Sequence, residues 1–312
     1  MDWKKLLQID DQWLTDFLNE HPIYEKHKIK MRGYSVKFSG NLYSFTGLAE
    51  YLSQKIPEFV YSKSDIEELG ERKAILNAIK YFGQKDPVTD GKYGELFLFM
   101  LVESVLKCPM IAYKIQTLSN FKDQVKGGDG IFLGEYEFNS DTTVKACLIG
   151  ESKIMTTYAS GLNDALSSLD RFYDKYTSGQ FETTEYMVAK KNIANNLDCD
   201  IDYLYNSLTP GTPEFSENTI VHPIFLMYDT KKISSIEEEA INSCQAESLM
   251  KDYFITEGKR QFKQIQDKIE KWPNLKRVIL DFFIIPSNDV EKFRNDVYYQ
   301  IHGTPFQKVN EL

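Results

Sequence analysis

Three apolar runs, residues 146–149, 219–228 and 276–285, limit the fold of this chain more than anything else in it. The second reads Thr-Ile-Val-His-Pro-Ile-Phe-Leu-Met-Tyr, and the third holds Val278, Ile279, Leu280, Phe282, Phe283, Ile284 and Ile285 before Pro286. A strand that is apolar almost without interruption is covered on both faces. Helical patterns separate these runs. Leu162, Ala165, Leu166, Leu169, Phe172 and Tyr173 fall on one face over 160–177, and 183–197 continues in helical character. Residues 235–270 carry two helices, the second rich in lysine, and a last helix spans 287–301. A strongly apolar helix over 93–107 comes before strands at 111–117, 129–138 and 143–155, and 206–218 is a polar loop. The order of helices and strands from residue 93 onward predicts an α/β (α+β) fold, a central mixed β-sheet flanked by helices.

The N-terminal third has a different texture. Trp3, Leu6, Leu7, Trp13, Leu14, Phe17 and Leu18 recur at helical spacing over 1–20, and His21-Pro22 ends the pattern. Further helices are expected over 44–60 and 64–82, the second opened by a Ser64/Glu67 capping box. Between them Lys26, Lys28, Lys30 and Arg32 repeat with a period of two, which puts them on one face of a strand. Such a strip serves either to contact phosphates or to guard a sheet edge with lysines. The turn-rich segment 84–92 marks a boundary. It divides a helix-rich N-terminal region with a short basic strand, 1–88, from a domain at 89–312.

No stretch reaches the length of a transmembrane helix, and the N-terminus lacks a signal-peptide apolar run, so the chain reads as soluble and cytoplasmic, with no membrane partner. Cys108, Cys147, Cys199 and Cys244 are far apart, and His21, His27, His222 and His302 show no ligand spacing, which argues against a zinc site or a disulfide framework. The net charge of −9 argues against tight, unaided, non-specific DNA binding, since phosphate contacts need Lys and Arg. Locally clustered basic residues, or a partner that delivers the substrate, would reconcile an acidic chain with nucleic acid.

The chemistry gathers in the middle third. Glu151 and Lys153 follow the run 146–149 two residues apart, so they point the same way while Ser152 points opposite. Charges at the end of a buried strand need each other, a metal or water. Asp129 sits among Gly127, Gly128 and Gly130, which leave little bulk beside it; the same Asp-Gly pair also suits a hairpin turn. Asp129, Glu151 and the Ser152 carbonyl form a candidate oxygen ligand set for Mg²⁺ or Mn²⁺. Lys153 is placed to orient a water or to stabilise transition-state charge. Glu95, on the apolar helix, is a candidate ligand, direct or through water.

In this order, Tyr93-Gly94-Glu95-Leu96, then Lys126-Gly127-Gly128-Asp129-Gly130, then Gly150-Glu151-Ser152-Lys153 resemble the PD-(D/E)XK nuclease superfamily and, within it, the HamA family, the nuclease effector subunit of the Hachiman anti-phage defence system. The resemblance covers roughly residues 90–300 and departs from the superfamily pattern only in having Gly128 where its name has proline. It implies a restriction-endonuclease-like core, Mg²⁺-dependent endonuclease activity on DNA with Glu95, Asp129, Glu151 and Lys153 as catalytic residues, and a helicase partner that senses foreign or damaged DNA.

Candidate DNA contacts lie outside these motifs. Ser160, Asn163 and Ser167 fall near one face of the helix after Lys153, beside the ordinary alternative of a cap and a solvated face. Segment 251–277 holds eight basic residues against four acids, and Lys259 and Lys263 could line a backbone strip. Two rival functions remain at this level. One is a catalytically silent nuclease-fold subunit that binds a helicase or nucleic acid; the other is an RNA-directed nuclease.

Overall fold

The computed structural model describes residues 2–111, 129–173, 201–209 and 211–307. In chain order its strands are β1 (Leu18–Glu20), β2 (Tyr24–Lys26), β3 (Ile29–Val36), β4 (Phe38–Ser39), β5 (Leu42–Tyr43), β6 (Ile131–Asn139), β7 (Thr142–Ile149), β8 (Glu151–Met155), β9 (Thr219–Asp229) and β10 (Ile279–Ser287). Its α-helices are α1 (Gln12–Phe17), α2 (Thr46–Gln54), α3 (Ile56–Val60), α4 (Lys63–Leu69), α5 (Glu71–Phe82), α6 (Lys92–Leu101), α7 (Tyr158–Asp170), α8 (Ile201–Ser207), α9 (Pro213–Glu217), α10 (Lys231–Glu239), α11 (Ser243–Ile269) and α12 (Val290–His302). The strand expected over 111–117 (beyond its first residue), the helix expected over 183–197, Gly127, Gly128 and Cys199 lie outside the described residues.

The apolar runs do form the centre of a mixed sheet, with helices on both faces. Strand order is β1-β3-β10-β9-β7-β6, with β2 added to β3 and β8 to β9. β10 runs parallel to both β9 and β3, so the sheet takes strands from both sides of segment 84–92. Every residue of β10 is buried, as is β9 from Val221 to Tyr228. Alternation sends neighbouring residues into two cores. Phe225, Met227, Phe283 and Ile285 pack with Leu96 and Phe97 of α6. Ile224, Leu226, Phe282 and Ile284 pack with Leu162, Leu166 and Leu169 of α7. Pro286, expected to end the last strand, pairs within it opposite Tyr228.

The sheet is strongly curled. β6 and β10 are separated by two strands, which in a flat sheet would hold them about 14 Å apart. Yet the Tyr136 hydroxyl on β6 donates to Asp281 Oδ2 on β10 at 2.8 Å, and Lys30 Nζ on β3 donates to the Phe138 carbonyl at 2.9 Å.

Several local expectations fail for identifiable reasons. The helix over 1–20 is instead a 3₁₀ turn at Trp3–Leu6, then α1, then β1. Glu103, on a π-helical turn that ends α6, takes the backbone N–H groups of Gln8 and Ile9 at 2.8 and 3.1 Å, donors that a continuous helix would have used itself. The basic strip is a hairpin, because His27 adopts φ 54° and Lys28 falls in the turn between β2 and β3. Helix 44–60 is broken before Pro57, and helix 64–82 at Gly70, whose φ is 77°. The capping box belongs to Ser62 and Asp65 rather than Ser64 and Glu67. The loop 206–218 contains α9, begun by a Thr212 cap and Pro213 at its first turn.

Glu103 is fully buried and also accepts Met110 N–H, at 3.0 Å. Burial pushes its carboxyl up to about 7, against the opposing pull of the three N–H donors. Glu103→Ala strands those donors, at about 1–3 kcal/mol per buried group left unpaired. Urea unfolding should therefore show a loss of about 3 kcal/mol. A folded value above the ordinary 4.5 means that the group's contribution is complete below pH 4.5 and is lost as pH rises through about 7. The stability advantage of wild type over Glu103→Gln should thus be larger at pH 5 than at pH 8. An advantage that grows with pH would contradict this.

Candidate active site

The site is built on a bend. Residues 143–155, expected as one strand, are two: β7 and β8 both run parallel to β9 in the same register, Leu148 facing Val221 and Glu151 facing Ile224, with a break at Gly150. Pro223 lies opposite that break and has no N–H to give. The Ile149 carbonyl instead accepts from His222 Nδ1 at 2.9 Å, while His222 Nε2 meets the Tyr173 hydroxyl at 2.6 Å. Burial lowers His222 to about 4, so it serves here as a neutral donor. A side chain at Gly150 would place its Cβ 2.7 Å from Leu98 Cδ2, so any larger residue there requires the buried Leu98 side chain to move.

The bend also receives the Asp-Gly segment. Asp129 N–H donates to the Gly150 carbonyl at 3.0 Å, and Gly150 N–H to the Gly130 carbonyl at 2.9 Å. This docking sets the Asp129 carboxylate against Ser152. Its Oδ2 accepts the Ser152 N–H at 2.5 Å and the Ser152 hydroxyl at 2.6 Å. Ser152 points toward α6, where its Oγ would lie 3.0 Å from a Cβ at Gly94. N–H and C=O of one strand residue point to the same side, so the Ser152 carbonyl faces the edge of β8 where Asp129 lies.

Glu151 and Lys153 point to the other face, under α7. Lys153 Nζ is bonded to Glu151 Oε1, and the Ser168 hydroxyl of α7 donates to Glu151 Oε2 at 3.0 Å. Arg171 Nη2 in turn donates to Ser168 Oγ at 2.9 Å. α6 is buried along its whole length except at Glu95, whose charge acts on Asp129.

The electrostatics follow from this crowding. Asp129 is half-buried, its carboxylate turned onto Ser152. Burial pushes that carboxyl up to about 8, helped by Glu95 and Glu151 and opposed by Ser152 and Lys153. Burial raises Glu151 as well, against Lys153, Ser168 and Arg171. Burial alone would lower Lys153, but Glu151 overrides it and holds the ammonium charged. Ionisation of these carboxyls is therefore held unfavourable at one strand edge. Among the described residues no three His, Cys, Asp or Glu side chains are gathered into a metal cage. Mg²⁺ does not need one, since it commonly binds through one or two carboxylates and keeps several waters. Asp129, Glu151 and the Ser152 carbonyl suit it as hard oxygen donors, and the cost of ionising Asp129 is what a cation would relieve.

The other candidate contacts lie elsewhere. Lys28, Lys30 and Arg32 are beyond β9 and β10 from β8. Lys28 Nζ donates to the Arg277 carbonyl at 2.6 Å, and Arg32 is paired with Asp281 in the interior at 3.0 Å, so Arg32 forms no phosphate strip. Ser160 is held in the N-terminal turn of α7, donating to the Thr157 carbonyl at 2.9 Å, while Asn163 is exposed one turn on. Lys259 and Lys263 are exposed on α11, Lys263 paired with Asp267 at 2.7 Å. Lys28 and Lys263 do come together, lining with Lys276 a groove of about 340 Å³.

Sequence reasoning missed Asp164 and Ser168, on the face that α7 turns to Glu151 and Lys153, and Arg171, just past the end of that helix. Their signal was present as polar residues at helical spacing directly after the Glu-x-Lys strand. The face considered instead, through Ser160 and Asn163, was rotated by one residue.

No curated protein matches this sequence. The HamA family profile matches residues 11–301, a span that takes in β1 to β10 and all four of Glu95, Asp129, Glu151 and Lys153, and by that match the chain belongs to the HamA family.

Proposed function

We propose that the chain is a metal-dependent nuclease that hydrolyses DNA phosphodiester bonds as the effector of the Hachiman anti-phage system, working beside a helicase subunit. The observation that carries this reading is the docking of Asp129 against Gly150 and Ser152, the two neighbours of Glu151 on a bent buried strand, with Lys153 bonded to Glu151. Family membership supports the defence setting, and the order helix-Glu, Asp-Gly, Glu-x-Lys supports placement among PD-(D/E)XK nucleases.

Asp129, Glu151 and the Ser152 carbonyl would hold Mg²⁺ or Mn²⁺. Such an ion polarises a phosphate and lowers the pKa of a water. The protein's own contributions are orientation and charge. Ser152 fixes the Asp129 carboxylate through two hydrogen bonds, and Ser168 fixes one oxygen of Glu151. Lys153 supplies a preorganised positive charge where the pentacoordinate phosphate gathers negative charge. Glu95 acts on Asp129 through its charge, from the α6 side. The chain's acidity fits a division of labour in which a helicase grips DNA and the nuclease cuts it.

The test is a parallel digest of plasmid DNA and of RNA by the purified chain, alone and with a Hachiman helicase subunit, in Mg²⁺ and in excess chelator. Loss of DNA that chelator abolishes is the expected result. Intact DNA in every arm would overturn the reading in favour of a silent binding subunit, and RNA loss alone would move it to RNA.

A further inference from the structure

We propose that Ser168 and Arg171 form a directed relay that positions Glu151, Arg171 fixing the hydroxyl of Ser168 and Ser168 fixing the carboxylate. The proposal rests on the nuclease reading for its consequence in catalysis. Both are positioning residues, since the contacts they make run to the Glu151 carboxylate.

The direction of the relay follows from the donor inventory. A guanidinium can only donate, and a serine hydroxyl has one proton and two lone pairs. Arg171 Nη2 lies 2.9 Å from Ser168 Oγ, so the oxygen accepts there and its single proton is left for Glu151 Oε2 at 3.0 Å. A serine inside a helix has a competing acceptor, the carbonyl four residues back. The bond from Arg171 and the carboxylate opposite draw Ser168 away from it. Glu151 is then held at both oxygens by groups from two elements, Lys153 on its own strand at Oε1 and α7 at Oε2.

The far end of α7 is itself anchored. Asn274 Nδ2 donates to Asp170 Oδ1 at 3.3 Å, and Arg171 Nε reaches the Ser168 carbonyl at 3.4 Å. Ser168 is half-buried and Arg171 exposed, so the pair adds little to folding for so ordered a contact. Its geometric effect falls on one carboxylate. A ligating carboxylate whose outer partner is removed commonly loses about tenfold to a hundredfold in metal affinity or turnover.

The experiment compares wild type, Ser168→Ala, Ser168→Thr, Arg171→Ala and the Ser168→Ala/Arg171→Ala double variant of the full chain. The readouts are Mn²⁺ affinity by calorimetry, kcat and KM on linear duplex DNA, and melting temperature, with Glu151→Ala as the reference for a dead site. Ser168→Ala should lower kcat and Mn²⁺ affinity about tenfold or more, with KM and melting temperature nearly unchanged. Threonine keeps the hydroxyl and should restore most of the loss. Because Arg171 acts on Glu151 chiefly through Ser168, beside a weaker direct attraction of charge, the double variant should lose clearly less than the two single losses combined. Full kcat and full Mn²⁺ affinity in Ser168→Ala, beside an inactive Glu151→Ala, would overturn this inference and leave the nuclease reading standing. Additive losses in the double variant would overturn the relay by showing that Arg171 acts independently. Wild type that neither binds Mn²⁺ nor cuts DNA, alone or with the helicase subunit, would overturn the nuclease reading, and this inference with it.

Discussion

Lys153→Met should cut DNA about a thousandfold more slowly than wild type, and Glu151→Gln should be at least as impaired, while both remain folded. The magnitude comes from what each removes. Methionine keeps most of the lysine stem and deletes only the charge that Glu151 holds in place. Without it, negative charge building on the phosphate meets a site already crowded with Glu95, Asp129 and Glu151. Glutamine keeps the shape of Glu151, but a neutral amide is a weak ligand for a hard divalent ion and no longer supports Lys153. Arginine at 153 should rescue poorly, because its planar fork cannot reproduce a compact ammonium in the narrow space beside Glu151. The check is single-turnover cleavage of a labelled duplex in Mg²⁺, with circular dichroism to show that the fold persists. Lys153→Met at a tenth of wild-type rate or better would remove Lys153 from the chemistry and leave it only an ion-pair partner.

How much of this could be read before folding depends on the distance between partners. The sheet's centre was legible because β9 and β10 advertise double burial within their own residues. That Glu151 and Lys153 share a face follows from a period of two, a local property of the chain. The bend that presents them was not legible. It needs Gly150 beside Leu98 and opposite Pro223, and the missing N–H is made good by His222, more than seventy residues on. The broken helix at the N-terminus has the same origin. Its amphipathic pattern is real, but Glu103 claims its backbone donors from about ninety-five residues away. Ser168 fell between these cases, since its helix was predicted and only the orientation of that helix over β8 was missing.

The basic strip on β3 makes the point most sharply, and it yields the largest expected effect on stability. Arg32 reads as a surface cation because period two sets it with Lys28 and Lys30. In the fold its guanidinium makes a forked contact with Asp281, at 3.0 and 3.1 Å, and Tyr136 completes the carboxylate at 2.8 Å. Asp281 is fully buried. Burial alone would lower Arg32, but Asp281 outweighs it and holds the guanidinium above its ordinary value. Asp281→Ala should therefore destabilise the chain by about 3–5 kcal/mol, the usual result of leaving a buried charge without its partner. It also releases the Tyr136 hydroxyl, the tie that draws β6 across the curled sheet. Replacing the whole group with apolar side chains, Arg32→Met, Asp281→Leu and Tyr136→Phe together, should recover most of that loss, since a buried ion pair costs desolvation on both partners and is often no better than well-packed hydrocarbon. Urea denaturation of the single and triple variants decides the matter. A triple variant as unstable as Asp281→Ala would mean that the charged group specifies the curl itself. Recovery would mean that its geometry needs only to be filled, and that the curl is set by the packing of β6 and β7 over β9.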